Sequence, residues 1–133
     1  MIVVDTNVIG YLFLSSHRSA LSEEALRKDP EWAAPVLWRS ELRSVLTLYM
    51  RKGVITLDNA QQIMNGSMDL LLGREYEVSS AHVLNLASES TCSAYDCEFV
   101  AVAKDLRVPL VTVDKQVLQA FPEVAVSLDA FCA

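Results

Sequence analysis

Histidine and cysteine are scarce in this chain of 133 residues. The two histidines, His17 and His82, are too few and too isolated to indicate a zinc site or general-base chemistry. The three cysteines, Cys92, Cys97 and Cys132, form no Cys-x-x-Cys pair and match no zinc-site spacing. Because free cysteine is among the most buried residue types, we expect free and mostly buried thiols.

The chain also lacks a long apolar run and an excess of positive charge. No stretch approaches the ~20 apolar residues of a membrane-spanning helix, and the opening residues are not those of a signal peptide, so we expect a cytoplasmic protein. Lysine and arginine number 11 against 17 aspartates and glutamates, which gives a formal net charge of −6. A protein that binds nucleic acid through a broad basic surface does not have this composition. Contact with a polyanion would therefore require a metal ion or a local cluster of cations.

Apolar residues, in contrast, make up 52% of the chain, which is rich for a small soluble domain and argues against disorder. The length is that of one domain, so we expect residues 1–133 to form a single domain. The apolar surplus is accommodated if the elements are buried on several sides, or if a partner covers part of the surface.

Short strand patterns alternate with helical patterns along the chain. We expect strands at 2–4, 32–35, 76–78, 108–113 and 124–126. We expect helices at 8–14, 20–28, 37–52, 57–72, 80–88 and 94–104, and a short one from 115. This alternation predicts an α/β fold with a parallel sheet and helices on both faces.

Two of the expected strands run directly into an aspartate, Asp5 in the first case and Asp114 in the second. Because ligands bind beyond the carboxyl ends of parallel strands, both carboxylates are expected at the functional edge of the sheet. Each aspartate also precedes a helix, so a role as helix N-cap fits its position equally well. One residue can serve both purposes.

The periodicity of the helix at 37–52 predicts which way the side chain of Glu41 faces. On a helical projection it falls about 60° from Trp38, inside the apolar arc, whereas Arg43 lies on the far side. A carboxylate on a buried face requires an ion-pair partner, a raised pKa or a metal ion. The alternative is a salt bridge at the rim of the core.

Asp96 lies in the first turn of a helix that is apolar nearly all round. Ser93 and Asp96 have the spacing of a capping box, and a negative charge is favourable in a first helical turn, so position alone gives Asp96 a structural role. Together with Asp5, Glu41 and Asp114, however, it would lie at one edge of the sheet. Four such carboxylates repel each other unless a divalent cation compensates, and oxygen ligands favour Mg²⁺, Mn²⁺ or Ca²⁺ over zinc.

The four acidic positions and their surroundings resemble those of the PIN-domain ribonucleases, and among these the VapC toxins of toxin–antitoxin pairs. The resemblance covers the whole chain and rests on four motifs in the correct order. They are Val4-Asp5-Thr6-Asn7, Ser40-Glu41-Leu42, Tyr95-Asp96 and the strand 110–113 followed by Asp114.

The resemblance implies a three-layer α/β/α sandwich with a five-stranded parallel sheet. It also implies a Mg²⁺- or Mn²⁺-dependent endoribonuclease, commonly a homodimer, that is inhibited by a small antitoxin. The acidic quartet of the family corresponds to Asp5, Glu41, Asp96 and Asp114. Asn7 and Thr112 match accessory polar positions, and Glu98 is a candidate for a further acid although its helical projection points away.

We therefore interpret the chain as a toxin ribonuclease that acts on structured RNA. One alternative is a metal-dependent phosphatase with Asp5 as nucleophile, although Asn7 stands where such enzymes usually have a second aspartate. Another is an inactive PIN-like binding module. To offset the negative net charge, we expect a rim of basic residues beside the site; the candidates are Arg18, Arg39, Arg43, Arg51 and Lys52.

Overall fold

A computed structural model describes all residues from 1 to 133 and shows strands and helices alternating along the chain. In chain order the elements are β1 (Ile2–Val4), α1 (Thr6–Phe13), α2 (Ser19–Lys28), β2 (Trp32–Pro35), α3 (Trp38–Arg51), α4 (Leu57–Leu70), β3 (Glu75–Tyr76), α5 (Ser80–Ser88), α6 (Ala94–Leu106), β4 (Leu110–Thr112), α7 (Lys115–Ala120), β5 (Ala125–Ser127) and α8 (Leu128–Cys132). None of these helices has the length and apolar character needed to cross a bilayer.

The five strands form one parallel sheet in the order β3-β2-β1-β4-β5, with helices packed against it. Every residue of β1, β2 and β4 is buried, because helices cover both faces of the sheet and leave no solvated side. The predicted α/β sandwich with a five-stranded parallel sheet is therefore confirmed. The three cysteines are free, as expected; Cys92 and Cys97 are buried and Cys132 is half-buried.

The order of the strands determines where a ligand can bind. β2 lies on one side of β1 and β4 on the other, so the chain reverses its direction of progress across the sheet at β1. In parallel sheets such a topological switch point leaves a crevice beyond the carboxyl ends of the two strands. Val3 and Val4 are in register with Leu110 and Val111, so β1 and β4 end close together at this crevice.

Several elements differ by one or two residues from their expected bounds, and three differences have an evident cause. Strand β4 starts later than residue 108, because the Val108 N–H donates to the carbonyl of Ala103 at 3.1 Å and so takes part in the C-terminal cap of α6. Strand β3 is Glu75–Tyr76 rather than 76–78, since only these residues pair with β2. Helix α8 was not predicted, because five residues are too few to show a period, although the Ser127 side chain caps it.

The Glu75 side chain ties the edge strand β3 to the first turn of α3. Its carboxylate accepts hydrogen bonds from the Arg39 guanidinium, at 2.6 Å from both Nε and Nη2, and from the Trp38 indole at 2.7 Å. Arg39 holds the pKa of Glu75 below its usual value, and the Trp38 bond acts in the same direction. Arg39 was a candidate for the basic rim, but its guanidinium is paired with Glu75 and connects α3 to the edge strand.

We expect Glu75→Gln to lower the free energy of unfolding by about 1–2 kcal/mol, because it removes a bidentate charged acceptor. Urea unfolding at neutral pH measures this effect. Since the pKa of Glu75 is lowered by folding, its contribution is present above the usual carboxyl pKa and is lost as the pH falls. The difference between the variant and the wild type should therefore narrow in acid. Glu77→Gln, at an exposed position two residues away, is the matched control and should leave stability unchanged.

Candidate active site

A cleft of about 300 Å³ opens where β1 and β4 end. All six side chains singled out in the sequence line it. They are Asp5, Asn7, Glu41, Asp96, Thr112 and Asp114. No lysine or arginine lines this cleft, so the predicted basic rim does not belong to it.

Asp5 is both a helix cap and the most constrained acid of the cleft. Its Oδ1 accepts a hydrogen bond from the Val8 amide at 2.9 Å, which caps α1. Its Oδ2 accepts from the Thr112 hydroxyl and from the Val113 amide, the latter at 3.2 Å. Burial nevertheless raises the pKa of Asp5, and the charge of Asp114 adds to this rise. The two interpretations of Asp5, cap and cleft residue, are thus compatible.

Asp114 has a similar arrangement at the end of β4. Its Oδ1 accepts from the amides of Gln116 and Val117, at 2.8 and 3.2 Å, and so caps α7. Its Oδ2 accepts no hydrogen bond from the protein. The Thr112 hydroxyl, which donates to Asp5, accepts from the Asp114 amide at 3.0 Å, so one side chain connects the two strand-end acids.

Glu41 enters the cleft from α3, as its helical projection predicted. It is half-buried, and its Oε1 accepts a hydrogen bond from the Thr6 hydroxyl at 2.7 Å. Burial is the main cause of a raised pKa for Glu41, and the charges of Asp96, Asp5 and Glu98 raise it further. The bond from Thr6 acts in the opposite direction.

Asp96 lies in the first turn of α6, where the Ser93 hydroxyl accepts from its backbone N–H at 3.0 Å. Burial raises the pKa of Asp96, and Asp114 raises it further. Asp5, Glu41 and Asp96 are therefore all harder to ionise than free carboxyls. Each is affected by the charge of another acid in the cleft, which indicates close approach of like charges.

Two further polar side chains in the cleft were not predicted. Thr6 is buried, and its hydroxyl is the side-chain donor to Glu41. Ser44 lines the cleft one helical turn beyond Glu41. For Ser44, the three-residue spacing from Glu41 on α3 could have given a signal. For Thr6, nothing in the sequence indicated a partner 35 residues away.

Glu98 and the remaining basic candidates lie outside the cleft lining. Glu98 does not line it, in agreement with its helical projection, although its charge contributes to the raised pKa of Glu41. Arg18 lies against Tyr11, with its guanidinium carbon 5.9 Å from the ring centroid. Arg43 donates to the Ser40 hydroxyl, while Arg51 and Lys52 are exposed; none of these four reaches the cleft.

The donor set of the cleft fits a hard divalent cation. Its ionisable side chains are all carboxylates, and their repulsion is uncompensated because no basic side chain lines the cleft. No three of the acidic, histidine or cysteine side chains are grouped closely enough to hold a metal ion together. A set of four direct ligands is therefore not preformed. Mg²⁺ is usually bound through one or two carboxylates, with water completing its coordination, and this cleft can offer that arrangement.

Comparison with known proteins agrees with the observed fold. The chain matches the family model for the PIN domain over residues 2–125. A curated protein of Pyrobaculum aerophilum, Ribonuclease VapC3, is 27% identical over 125 residues, which is 91% of this chain and 95% of that protein.

Two solved structures have the same fold. The crystal structure of PAE2754 from Pyrobaculum aerophilum aligns over 98% of this chain and 92% of its own, with 20% identity and a TM-score of 0.77. A toxin–antitoxin complex from Klebsiella pneumoniae contains a chain that aligns over 96% of this one and 98% of its own, with 20% identity and a TM-score of 0.69. The family match extends over nearly the whole sequence, and the chain belongs to the PIN domain family.

Proposed function

We propose that this protein is a Mg²⁺- or Mn²⁺-dependent endoribonuclease, the toxin of a type II toxin–antitoxin pair, and that it cleaves structured RNA. The observation that carries the proposal is the convergence of four carboxylates on one cleft at the switch point of the sheet, with no basic residue to balance them. The name of the Pyrobaculum relative, a VapC ribonuclease, supports the same reaction.

In the proposed site, Asp5 and Asp96 would hold the cation, while Glu41 and Asp114 would position water or complete the ligand set. A bound divalent cation supplies positive charge beside the scissile phosphate and lowers the pKa of water. The hydroxyl of Thr112 holds Asp5 in place by donating to its Oδ2. Glu41 has a raised pKa and is therefore suited to accept the proton of the attacking water. Attack forms a bond from the water oxygen to phosphorus and breaks the bond to the 3′ oxygen. The phosphate stays on the 5′ end of the downstream fragment, and the 3′ oxygen takes a proton from solvent and leaves as the hydroxyl of the upstream fragment.

The partners in this proposal are the RNA substrate, a small antitoxin and a second copy of the chain. The antitoxin is supported by the description of the Klebsiella structure as a toxin–antitoxin complex. Apolar side chains exposed on α3, on α4 and between them, at Leu48, Val54 and Leu57, provide surface for a protein partner. The homodimer and the cytoplasmic location remain predictions.

The two alternative functions fit the cleft less well. A phosphatase with an aspartate nucleophile usually has a second aspartate two residues further on. The position two residues after Asp5 is Asn7, which cannot act as the second acid of that mechanism. Several acids whose pKa values are raised by burial and by each other's charges are more typical of a catalytic site than of an inactive binding module.

The proposed function is tested by incubating the purified protein with transfer and ribosomal RNA in Mg²⁺, in Mn²⁺ and in EDTA. We expect discrete cleavage products with either cation, no cleavage in EDTA, and recovery of cleavage when the cation is restored. Cleavage that is unaffected by EDTA would exclude a metal-dependent site. A phosphorylated Asp5 recovered after incubation with a phosphomonoester would favour the phosphatase instead.

A further inference from the structure

A second cavity, of about 70 Å³, adjoins the carboxylate cleft between α1 and α3. The two share Thr6, Asn7 and Val45 in their lining, so they form a continuous depression in the surface. The second cavity contains no acidic side chain. It lies beside the acids, and none of the proposed chemistry uses it.

The lining of this second cavity is apolar and aromatic. Tyr11 from α1 and Tyr49 from α3 are both half-buried and contribute ring surface, and Leu42 lies between the two helices. Arg18 lies beside Tyr11: its Nη1 donates to the phenolic oxygen at 3.2 Å. This lining therefore combines aromatic surface with a neighbouring positive charge, the opposite of the acidic cleft.

Aromatic surface with an adjacent cation is the chemistry that binds a nucleotide. Bases of single-stranded RNA stack on aromatic side chains, and cations balance the phosphates that flank them. At about 70 Å³ the cavity is too small to enclose a whole base. We propose that the base of a nucleotide next to the scissile phosphate inserts one edge into it, with Tyr49 as the principal stacking residue and Arg18 near the adjoining phosphate. This inference rests on the proposed ribonuclease function and adds a base-binding subsite to it.

The position of the subsite explains how an acidic protein could select an RNA. The cleft itself has no basic side chain with which to attract the polyanion. Binding of a non-reacting part of the substrate beside the acids would hold the phosphate in place and would restrict cleavage to certain bases. The sequence around the cut site should therefore depend on Tyr49.

The test compares Tyr49→Leu, Tyr49→Phe and the wild type on a short labelled RNA that contains the wild-type cut site. Leucine keeps an apolar side chain but removes the ring, so we expect KM to rise about tenfold, with kcat nearly unchanged. Phenylalanine keeps the ring and should restore the wild-type KM. Leu84→Ala, at an exposed position on α5 that lines neither the cleft nor the second cavity, is the control and should behave as the wild type.

Gly10→Ala tests the cavity independently of the tyrosines. Gly10 lines the cavity, and a methyl group there would meet only the Leu42 Cδ1, at 4.0 Å. The substitution therefore reduces the space for a base without a clash, and alanine suits a helix better than glycine. We expect a rise in KM in the same direction as for Tyr49→Leu, with no loss of thermal stability.

Two further RNAs, each lacking one of the bases that flank the cut, complete the test. For one of them, the wild type and Tyr49→Leu should have the same KM, because the stacking partner is absent. An unchanged KM for Tyr49→Leu on the intact RNA, or an increase that persists on both abasic RNAs, would overturn the subsite.

If the wild type cleaves no RNA, the proposed function fails separately. Binding of transfer RNA in Ca²⁺ then decides: weaker binding by Tyr49→Leu supports the subsite, and equal or absent binding overturns it.

Discussion

Asp5→Asn is expected to reduce RNA cleavage by about 10³-fold or more, as is typical when one member of a catalytic group that acts as a unit is removed. Asparagine keeps the shape of the side chain but loses the negative charge. The loss of charge weakens binding of the cation that we assign to Asp5 and Asp96. The rate of cleavage of structured RNA in Mg²⁺ measures the effect.

The same variant should remain folded. Asparagine is as good a helix N-cap as aspartate, so the bond from the Val8 amide to the side chain at position 5 can persist. The pKa of Asp5 is raised by burial, which means that its charged form destabilises the folded protein at neutral pH. Asparagine has only one acceptor oxygen, however, so its amide nitrogen cannot replace Oδ2 as the acceptor from the Val113 N–H and the Thr112 hydroxyl. The two effects oppose each other, and in EDTA Asp5→Asn should remain folded, with an unfolding temperature within about 5 °C of that of the wild type.

Asp129→Asn is the matched control, because Asp129 is an exposed aspartate in the first turn of a helix that does not line the cleft. It should leave both cleavage and unfolding unchanged. Cleavage by Asp5→Asn at the wild-type rate would show that Asp5 does not bind the cation. A large loss of stability in this variant would show that the hydrogen bonds accepted by Oδ2 of Asp5 are its main contribution.

The positions of the site residues were predictable because they follow from local periodicity and from strand order. The positions of Asp5 and Asp114 were predicted because each follows directly on a buried strand. The position of Glu41 was predicted because it lies within the apolar arc of its own helix. These signals depend only on neighbouring residues and on the general rule for parallel sheets. The cleft accordingly contains the same acids that the sequence singled out.

The hydrogen bonds that change the pKa values of these acids were not predictable from the sequence. The bond from Thr6 to Glu41 joins residues 35 apart, and the bond from Thr112 to Asp5 joins residues 107 apart. Arg39 was expected near RNA but pairs with Glu75 on the edge strand, 36 residues away. Such contacts depend on how the helices pack on the sheet, and this packing cannot be predicted from the pattern of neighbouring residues.

In the protein without metal, the contribution of the cleft acids to the free energy of unfolding should fall as the pH rises from about 4 towards neutrality. Burial and mutual repulsion raise the pKa values of Asp5, Glu41 and Asp96 in the folded state. The folded protein therefore retains protons that the unfolded chain releases. The stabilisation is complete below the unfolded pKa and is lost as the pH passes through the raised folded values.

Other carboxyls titrate in the same range, among them Glu75, whose pKa is shifted in the opposite direction. The comparison that isolates the cleft is therefore between the wild type and Asp5→Asn, measured by thermal unfolding in EDTA at a series of pH values. The stability of the variant relative to the wild type should increase with pH. A difference that stays constant, or that decreases, would contradict a raised pKa for Asp5.

Mg²⁺ or Mn²⁺ should reverse this trend in the wild type, because a cation binds the ionised carboxylates and requires them to lose their protons. At a cation concentration about 100-fold above its dissociation constant, we expect a stabilisation of about 2–3 kcal/mol, or roughly 10 °C in Tm. This increase should be large at neutral pH, small near pH 4, and strongly reduced in Asp5→Asn. An increase of the same size at both pH values, or in both proteins, would place the cation outside the cleft. The repulsion that destabilises the metal-free cleft thus favours the cation, and one set of carboxylates accounts for both effects.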